Sequence, residues 1–277
     1  MTEAWGRTAA GMEMWFPSWS HLGQVRAVCF GRKGGVSEKP WDSLNVGFHV
    51  EDDPQNVTVN RQRCVEVIGG RLEDWVMAQQ VHGHKVARVT SQDRGKGAYT
   101  AENAVSGVDG LVCDSPGVTL GILAADCVPV LFYDPRRGAV GIAHSGWKGT
   151  VGHLVREVVS VMKQSFGTDP SDLNVCLGPS IRECCYEVGA DVARHVNTEF
   201  GSSFLVASPH EPKRPDHFML SLQNCIRSDL MGCGIPQEKI EDFGECTVCH
   251  SDYLFSHRES LGKTGRLLSV VRLPAKR

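Results

Sequence analysis

Nowhere does the chain hold an apolar stretch approaching the roughly 18 residues of a membrane-crossing helix, so a helical membrane span is excluded from expectation. The opening, MTEAWGRTAAGMEMWF, lacks the charged region followed by an apolar region that marks an export signal, and the expected compartment is the cytoplasm. A surplus of positive charge is missing too. Lys and Arg number 29 against 32 Asp and Glu, for a net charge of −3, and no run of like charges forms an interaction tail. Nucleic acid is therefore not an expected partner, because Lys and Arg supply most of the attraction to a phosphate backbone. Without an internal repeat or a linker of distinct composition, one domain over residues 15–277 is the simplest organisation. The aperiodic start at 1–14 is expected to be frayed or disordered.

What is present is an ordinary globular composition, 41% hydrophobic and 22% charged, sufficient for a sizeable core. Eleven cysteines are many, but the number is odd. Cys29, Cys64, Cys113, Cys176 and Cys225 lie in apolar runs where a thiol packs as a small hydrophobe, so reduced thiols are expected. Extended segments are read at 24–30, 111–113, 118–123, 128–133, 139–143, 173–177, 240–243 and 267–271, and 76–89 reads as two paired strands meeting at a tight turn on Gly83. Helical spacing runs through Val57, Arg61, Cys64, Val65 and Ile68 behind the cap Asp52-Asp53-Pro54, through 150–166 with Thr150 as cap, and through 191–200 and 221–231. Residues 93–106, polar and glycine-containing, are the best candidate for a mobile loop over a pocket, and 201–216, with three prolines, reads as a surface excursion. The expected fold class is α+β (mixed α/β), with mixed β-sheets flanked by helices.

The stretch 109–148 organises the rest. It reads DGLVCDSPGVTLGILAADCVPVLFYDPRRGAVGIAHSGWK, apolar runs broken by turn residues, with Cys127 at one strand end and His144 at another. A thiol and an imidazole so placed are either a small core residue and a satisfied histidine, or partners in a shared site. A catalytic zinc takes three ligands from His, Cys or carboxylate and keeps a fourth position open. His82, Cys127 and His144 could form such a set. Their separations, 45 and 17 residues, match no local finger pattern; what favours them is that all three fall at strand ends beside glycine turns. The loop that follows His144 presents free amides at a helix start together with Lys148, an arrangement suited to an anion. Gly31-Arg32-Lys33-Gly34-Gly35 is a glycine loop with two cations, readable either as an anion cradle or as an exposed hairpin.

The segments SLNVGFHVEDDPQNVTVNR, QVHG, DGLV, ILAADCVPVLFYDP, GIAHSGWKGT, LGPSIRECCYEVG, and CTVC followed by FSHR and TGR resemble the YfiH-like family. That family was once called multicopper polyphenol oxidases or laccase-domain proteins and is now treated as purine nucleoside phosphorylases. The similarity runs from about residue 24 to 271, and ADC and HSGWKG are its most specific motifs. The resemblance implies a YfiH-like fold and a zinc held by His82, Cys127 and His144, with copper the less favoured metal. It further implies phosphorolysis of adenosine, inosine, guanosine and methylthioadenosine to free base and ribose 1-phosphate, together with deamination of adenosine. Ser180 and Ser145 stand where the family commonly has cysteine and alanine, and neither is a ligand in this set.

Each implied reaction sets its own demands. In phosphorolysis, phosphate attacks C1′ of the ribose while the purine departs, which requires cations on the anion and a hydrogen-bond donor to the base. Arg32 and Lys148 are the candidates for phosphate, and Asn45 for ribose or phosphate. In deamination, a metal-activated water attacks C6 of adenine and a proton is shuttled. The H-x-E pattern of zinc deaminases is absent; Asp126, beside the metal cysteine and so grouped with Cys127 and His144 as catalytic, and Glu187 are candidates for the proton, with an ordinary structural hydrogen bond as the alternative for each. Arg258 reads as a structural ion pair. Other readings remain open. One is a metal-free hydrolase with Cys127 as nucleophile and His144 as base. A copper oxidase would need more than the one H-x-H pair, His82-Gly83-His84. A zinc-stabilised interaction module would normally show four protein ligands where three are evident. Cys246 and Cys249 lie in a C-x-x-C-H run of the c-type haem pattern, without the export signal that haem attachment requires, and are either a buried thiol pair or ligands of a structural zinc with His257.

Overall fold

The apolar runs of the central stretch all become strands, yet they are divided between two sheets. In the computed structural model, which describes residues 5–7, 11–20, 24–209 and 216–275, a seven-stranded mixed sheet runs in the order Trp5–Arg7, Glu13–Trp15, Arg26–Phe30, Leu267–Arg272, Thr119–Ala124, Trp75–Gln79, Val105–Ser106. A six-stranded mixed sheet runs Ile240–Asp242, Asn174–Leu177, Val128–Asp134, Ala139–Ser145, Gly110–Cys113, Val86–Arg88. A three-stranded antiparallel sheet, Glu187–Gly189, His217–Leu220 and Leu205–Ala207, lies apart from them.

The alternation of side chains along each strand sets the layers. Along Val128–Asp134, Leu131 and Tyr133 join the core between the two large sheets, whereas Val128, Val130 and Phe132 turn to the opposite face. The inter-sheet core takes Ala27, Cys29, Leu120, Ile122 and Val271 from one sheet and Leu111, Leu131, Val140 and Ile142 from the other. Helices Leu154–Phe166, Ala190–Phe200 and Leu222–Gly232 cover the far face of the six-stranded sheet through Val158, Met162, Val196 and Ile226. Helix Pro54–Ile68 covers the far face of the seven-stranded sheet, setting Cys64, Val65 and Ile68 against Val28, Phe30 and Val270. The result is four layers, helix, sheet, sheet, helices. Central strands covered on both faces have no solvent side, which is why they read as unbroken apolar runs. The fold is thus the α+β class of mixed sheets flanked by helices. Among the described residues, no helix is long and apolar enough to cross a membrane.

Several expected elements take a different form. The start at 1–14, expected to be frayed, contributes Trp5–Arg7 and Glu13–Trp15, which pair with each other and, through the second, with Arg26–Phe30. The two strands around Gly83 do not pair with each other, because Trp75–Gln79 binds Thr119–Ala124 in one sheet and Val86–Arg88 binds Gly110–Cys113 in the other. The helix expected from Thr150 is two helices, Trp147–Val151 and Leu154–Phe166, broken where His153 adopts φ 57°. Thr150 does not cap; its hydroxyl pairs with that of Ser145 at 2.9 Å. Residues 93–106 are fastened rather than free. The amides of Met77 and Gly95 donate to the carbonyls of Lys96 and Trp75, each at 2.9 Å, and Arg61 Nη1 donates to the carbonyls of Gly97 and Ala98 at 2.5 and 2.8 Å. Of the excursion at 201–216, Leu205–Ala207 is a strand of the small sheet, and 210–215 lie outside the described residues.

Helix Pro54–Ile68 starts as its sequence dictates. Asp53 accepts from the Gln55 amide, Pro54 takes a first-turn position whose N–H would have no partner, and Gly69 ends the helix at φ 81°. Its polar residue Asn60 is fully buried and acts as a staple: Nδ2 donates to the carbonyls of Ser43 and Asn45 at 3.0 and 2.7 Å, and Oδ1 accepts from the Val36 amide at 2.8 Å. Asn60→Ala leaves these groups unpaired in the interior and is expected to destabilise the protein by about 1–3 kcal/mol. A lowered urea midpoint at unchanged slope checks it, and a wild-type midpoint would contradict the role given to Asn60.

Candidate metal centre

Strand register brings three residues distant in sequence to one point. Ala139–Ser145 pairs antiparallel with Val128–Asp134, Ser145 opposite Val128, so Cys127, one residue ahead of that strand, lies beside the end of its neighbour. On the other side Ala143 lies opposite Gly110, which sets Asp109 next to His144. His82 arrives on the turn that crosses between the sheets, with φ 59°. One carboxylate fixes the arrangement. Asp109 Oδ1 accepts from the His82 amide and faces His144 Nδ1, both at 3.0 Å, while Oδ2 accepts from the amides of Gly83 at 2.7 Å and Val81 at 3.2 Å. Glycine permits the close approach, since a Cβ on Gly146 would stand 2.8 Å from Cys127 Sγ. One ligand atom each from His82, Cys127 and His144 then lies within 4.8 Å of the others, and the two imidazole rings meet edge to face with centroids 4.9 Å apart.

The charges follow from this geometry. Burial alone would raise the Asp109 carboxyl, yet the hydrogen bonds from His144, Gly83 and Val81 hold it below the usual carboxylate range. An ionised Asp109 makes Nδ1 the protonated nitrogen of His144 and leaves Nε2 free to bind. Burial also pushes the Cys127 thiol up, but the His144 and His82 rings outweigh it and bring the thiol down to about 6. For His144 burial acts downward, and Cys127 and Asp109 together raise it to about 9. The sulfur is therefore a thiolate at neutral pH, the form that binds metal, and metal uptake displaces a proton from His144. Two imidazoles, one thiolate and an orienting carboxylate behind an imidazole are a donor set that fits a zinc-class ion with a fourth position left open.

That position has space in front of it. Exposure runs from His82, at the surface, through half-buried Cys127 to His144 at 3%. Two adjoining cavities, about 280 and 720 Å³, share His82, Asp126, Cys127, Trp147, Ile181 and Tyr186. Lys148 lines the smaller; His49, Arg258 and Arg266 line the larger, as do Gly97, Ala101 and Glu102 of the fastened 93–106 segment. His49 is held neutral, down to about 4, by burial first and then by Arg266 and Arg61.

Of the residues expected at the site, the structure gathers His82, Cys127, His144, Asp126 and Lys148. Asp126, at φ 93°, accepts from Thr247 Oγ1 and from the Arg258 amide, both at 2.6 Å, so its carboxylate is occupied in holding the cavity wall. Arg32 lies elsewhere: Nε and Nη1 donate to the carbonyls of Asp42 and Ser251 at 2.9 and 2.8 Å, and its guanidinium covers Phe255. Asn45 is fully buried and bonded to Gly47, Asp52 and the Arg266 amide. The Glu187 carboxylate lines neither cavity, and its backbone carbonyl accepts from Arg258 Nη1 at 3.0 Å. Among the described residues Arg258 makes no ion pair; it lies 5.3 Å over the Tyr186 ring. Ser180 and Ser145 bond inward, to Gln223 and Thr150. Sequence reasoning passed over Asp109, Trp147, Tyr186 and Arg266. The first carried a signal, an aspartate at the head of the apolar run DGLV, where a carboxylate entering a covered sheet needs partners.

The family model described as multi-copper polyphenol oxidoreductase laccase matches residues 26–274. A protein named purine nucleoside phosphorylase YlmD, from Bacillus subtilis, is 39% identical over 240 residues, 87% of this chain and 85% of that protein. Among solved structures, YlmD from Geobacillus stearothermophilus superposes with a TM-score of 0.90 at 36% identity, covering 98% of this chain and 99% of the other. A Bacillus licheniformis hypothetical protein, YfiH, gives the same TM-score of 0.90, identity of 36% and coverage of 98% and 99%. The chain accordingly belongs to the YfiH/YlmD family, whose model carries the laccase description and whose curated members matched here are named purine nucleoside phosphorylases.

Proposed function

We propose that this chain is a cytoplasmic zinc-dependent purine nucleoside phosphorylase, converting adenosine, inosine, guanosine or methylthioadenosine and phosphate to free base and the sugar 1-phosphate. The observation that carries the reading is the convergence of His82, Cys127 and His144 at the junction of two cavities, in a chain whose curated relatives bear that activity in their names. When bound, the ion supplies Lewis-acid chemistry at that junction.

The chain's own residues do the rest. Trp147 and Tyr186 offer aromatic faces for a purine. Lys148 in the smaller cavity and Arg258 and Arg266 in the larger supply cations for an incoming phosphate, the role that Arg32 is too far committed to fill. Asp126 acts through Thr247 and Arg258 and is a positioning residue. Asp109 fixes the protonated face of His144 and the turn bearing His82. In phosphorolysis a phosphate oxygen forms a bond to C1′ as the C1′–N9 bond breaks, and the purine leaves with the electron pair and takes up a proton. Deamination of adenosine is assigned to the same cavity, with a water oxygen bonding to C6 as the C6–N6 bond breaks and the amino group leaves, protonated, as ammonia.

A second reading has one observation in its favour. Cys127, His144 and Asp109 also stand as nucleophile, base and orienting carboxylate would in a metal-free hydrolase. The two readings part on conditions: the hydrolase is indifferent to chelators and to phosphate and is lost on thiol alkylation.

Chromatography of inosine or adenosine incubated with the protein is expected to show free base and sugar phosphate only with phosphate present, and Cys127→Ala is expected to abolish both bound metal and turnover. Turnover persisting in a metal-free Cys127→Ala protein would place the reaction elsewhere. Asp109→Asn keeps the shape but loses the acceptor charge behind His144, and metal affinity is expected to fall about 10–100-fold. Competition against a chromophoric chelator measures this, and unchanged affinity would remove Asp109 from its positioning role.

A further inference from the structure

Four of the ten cysteines that the nucleoside chemistry leaves unused come together in space. Cys184 and Cys185 sit in the turn after Asn174–Leu177, where the amides of Cys185 and Tyr186 both donate to the Arg182 carbonyl at 2.9 and 2.8 Å. Cys246 and Cys249 sit in the turn after Ile240–Asp242, where the His250 amide donates to the Cys246 carbonyl at 3.0 Å. The two turns are laced side by side: Ser180 N–H donates to the Glu245 carbonyl at 3.1 Å and Thr247 N–H to the Ser180 carbonyl at 3.2 Å. All four Sγ atoms lie within 4.8 Å of one another, with Cys249 Sγ 3.6 Å from Cys184 Sγ and 3.5 Å from Cys185 Sγ. His257, the third ligand that the sequence offered to Cys246 and Cys249, lines the larger cavity instead.

These spacings have a chemical meaning. Four sulfurs at the corners of a tetrahedron about a zinc, each about 2.3 Å from it, stand about 3.8 Å apart. Disulfide sulfurs approach to about 2.05 Å, and the ligands of an iron–sulfur cube stand farther apart than these. Cys246 is the buried corner at 4% exposure, and Cys184 and Cys249 are exposed, so an ion has a route in from solvent.

We propose that Cys184, Cys185, Cys246 and Cys249 bind a second divalent ion of the zinc class through four thiolates, closing its coordination shell and bracing the wall of the substrate cavity. Binding releases the thiol protons to solvent and forms four metal–sulfur bonds, with no change of oxidation state. The bracing follows from the chain path. One clamped turn leads from Ile181 to Tyr186, the other to His257 and Arg258, and all four residues line the larger cavity. Arg258 already ties the turns together, over the Tyr186 ring and onto the Glu187 carbonyl. This site is independent of the reaction assigned to the first.

The test counts metal in protein purified under reducing conditions without chelators. Wild type is expected to hold about two ions per chain, and Cys249→Ser and Cys127→Ala about one each. After cobalt exchange, Cys127→Ala is expected to show the intense absorption of tetrahedral all-sulfur coordination. His82→Ala, altered on an exposed turn, serves the same purpose should Cys127→Ala fail to fold. A cooperatively melting Cys127→Ala or His82→Ala protein with no metal would overturn the proposal, as would intact-mass alkylation showing these cysteines joined as disulfides. One ion in wild type that survives Cys127→Ala would uphold this site while removing the metal from the first, so the two failures are distinguishable.

Discussion

A single buried carboxylate holds the candidate centre together. Asp109 has no exposure, and an unpaired charge there would be prohibitive, so its oxygens must be satisfied from the protein. They are satisfied by groups from elements that otherwise belong to different sheets. The amides of Val81, His82 and Gly83 come from the crossover between the sheets, and His144 Nδ1 comes from the end of a central strand. Satisfying the charge therefore fixes the turn, places His82 and chooses the tautomer of His144 in one step. The centre is a by-product of satisfying a carboxylate at the head of an internal strand. The left-handed conformation of His82 belongs to the turn that points three successive amides at this one side chain.

How much of this was legible in the chain depends on distance along it. Helix Pro54–Ile68 was readable from Asp53, Pro54 and Gly69, because caps act within a turn of the residue that supplies them. The central strands were readable because both faces are covered, which leaves a continuous apolar signature. The ligand trio came from residue type and placement at strand ends, sharpened by family resemblance. Which strands share a sheet was not readable. The runs on either side of Gly83 look like a hairpin, and only the partners of each, more than twenty residues away, show that the chain crosses between sheets there. Two of the ligand-binding candidates lie away from the site for a similar reason. Arg32 and Asn45 sit in polar, glycine-rich surroundings that suggest a ligand, but their partners are backbone groups such as the Ser251 carbonyl and the Arg266 amide, far off in sequence. Local pattern shows that a polar side chain needs a partner; it does not say whether protein or substrate supplies one.

The two labels carried by relatives, laccase and phosphorylase, make different demands on the same donors. Two imidazoles and a thiolate also suit copper, so the ligands alone do not choose. Oxygen reduction by a multicopper enzyme requires further copper ions held by clustered histidines, and among the described residues the other candidate cluster consists of four thiols. What adjoins the trio is a cavity of about 720 Å³ bordered by Arg258, Arg266, Trp147 and Tyr186, cations and aromatic faces of the kind a nucleoside and an anion require. The surroundings of the centre, more than its ligands, therefore favour phosphorolysis.

Those surroundings are held from behind. Asp126 is next to the candidate ligand Cys127, yet its carboxylate is engaged by Thr247 and the Arg258 amide. Thr247 lies between Cys246 and Cys249, so a short path of peptide bonds and one hydrogen bond runs from the cysteine of the trio, through Asp126 and Thr247, to the four-thiol cluster. Tyr186, adjacent to Cys185, sits under Arg258 on the same wall. A shift of either cysteine turn moves Arg258 and Tyr186 relative to Cys127, because Thr247 and the Arg258 amide are bonded to Asp126, the neighbour of Cys127, and Tyr186 packs under Arg258. Rigidity where the base and the anion meet is what a displacement at C1′ needs, since the reacting atoms must be held within bonding reach before the purine leaves. The vicinal cysteines and the C-x-x-C run thus sit where stiffening the fold has the greatest effect on geometry at the candidate centre.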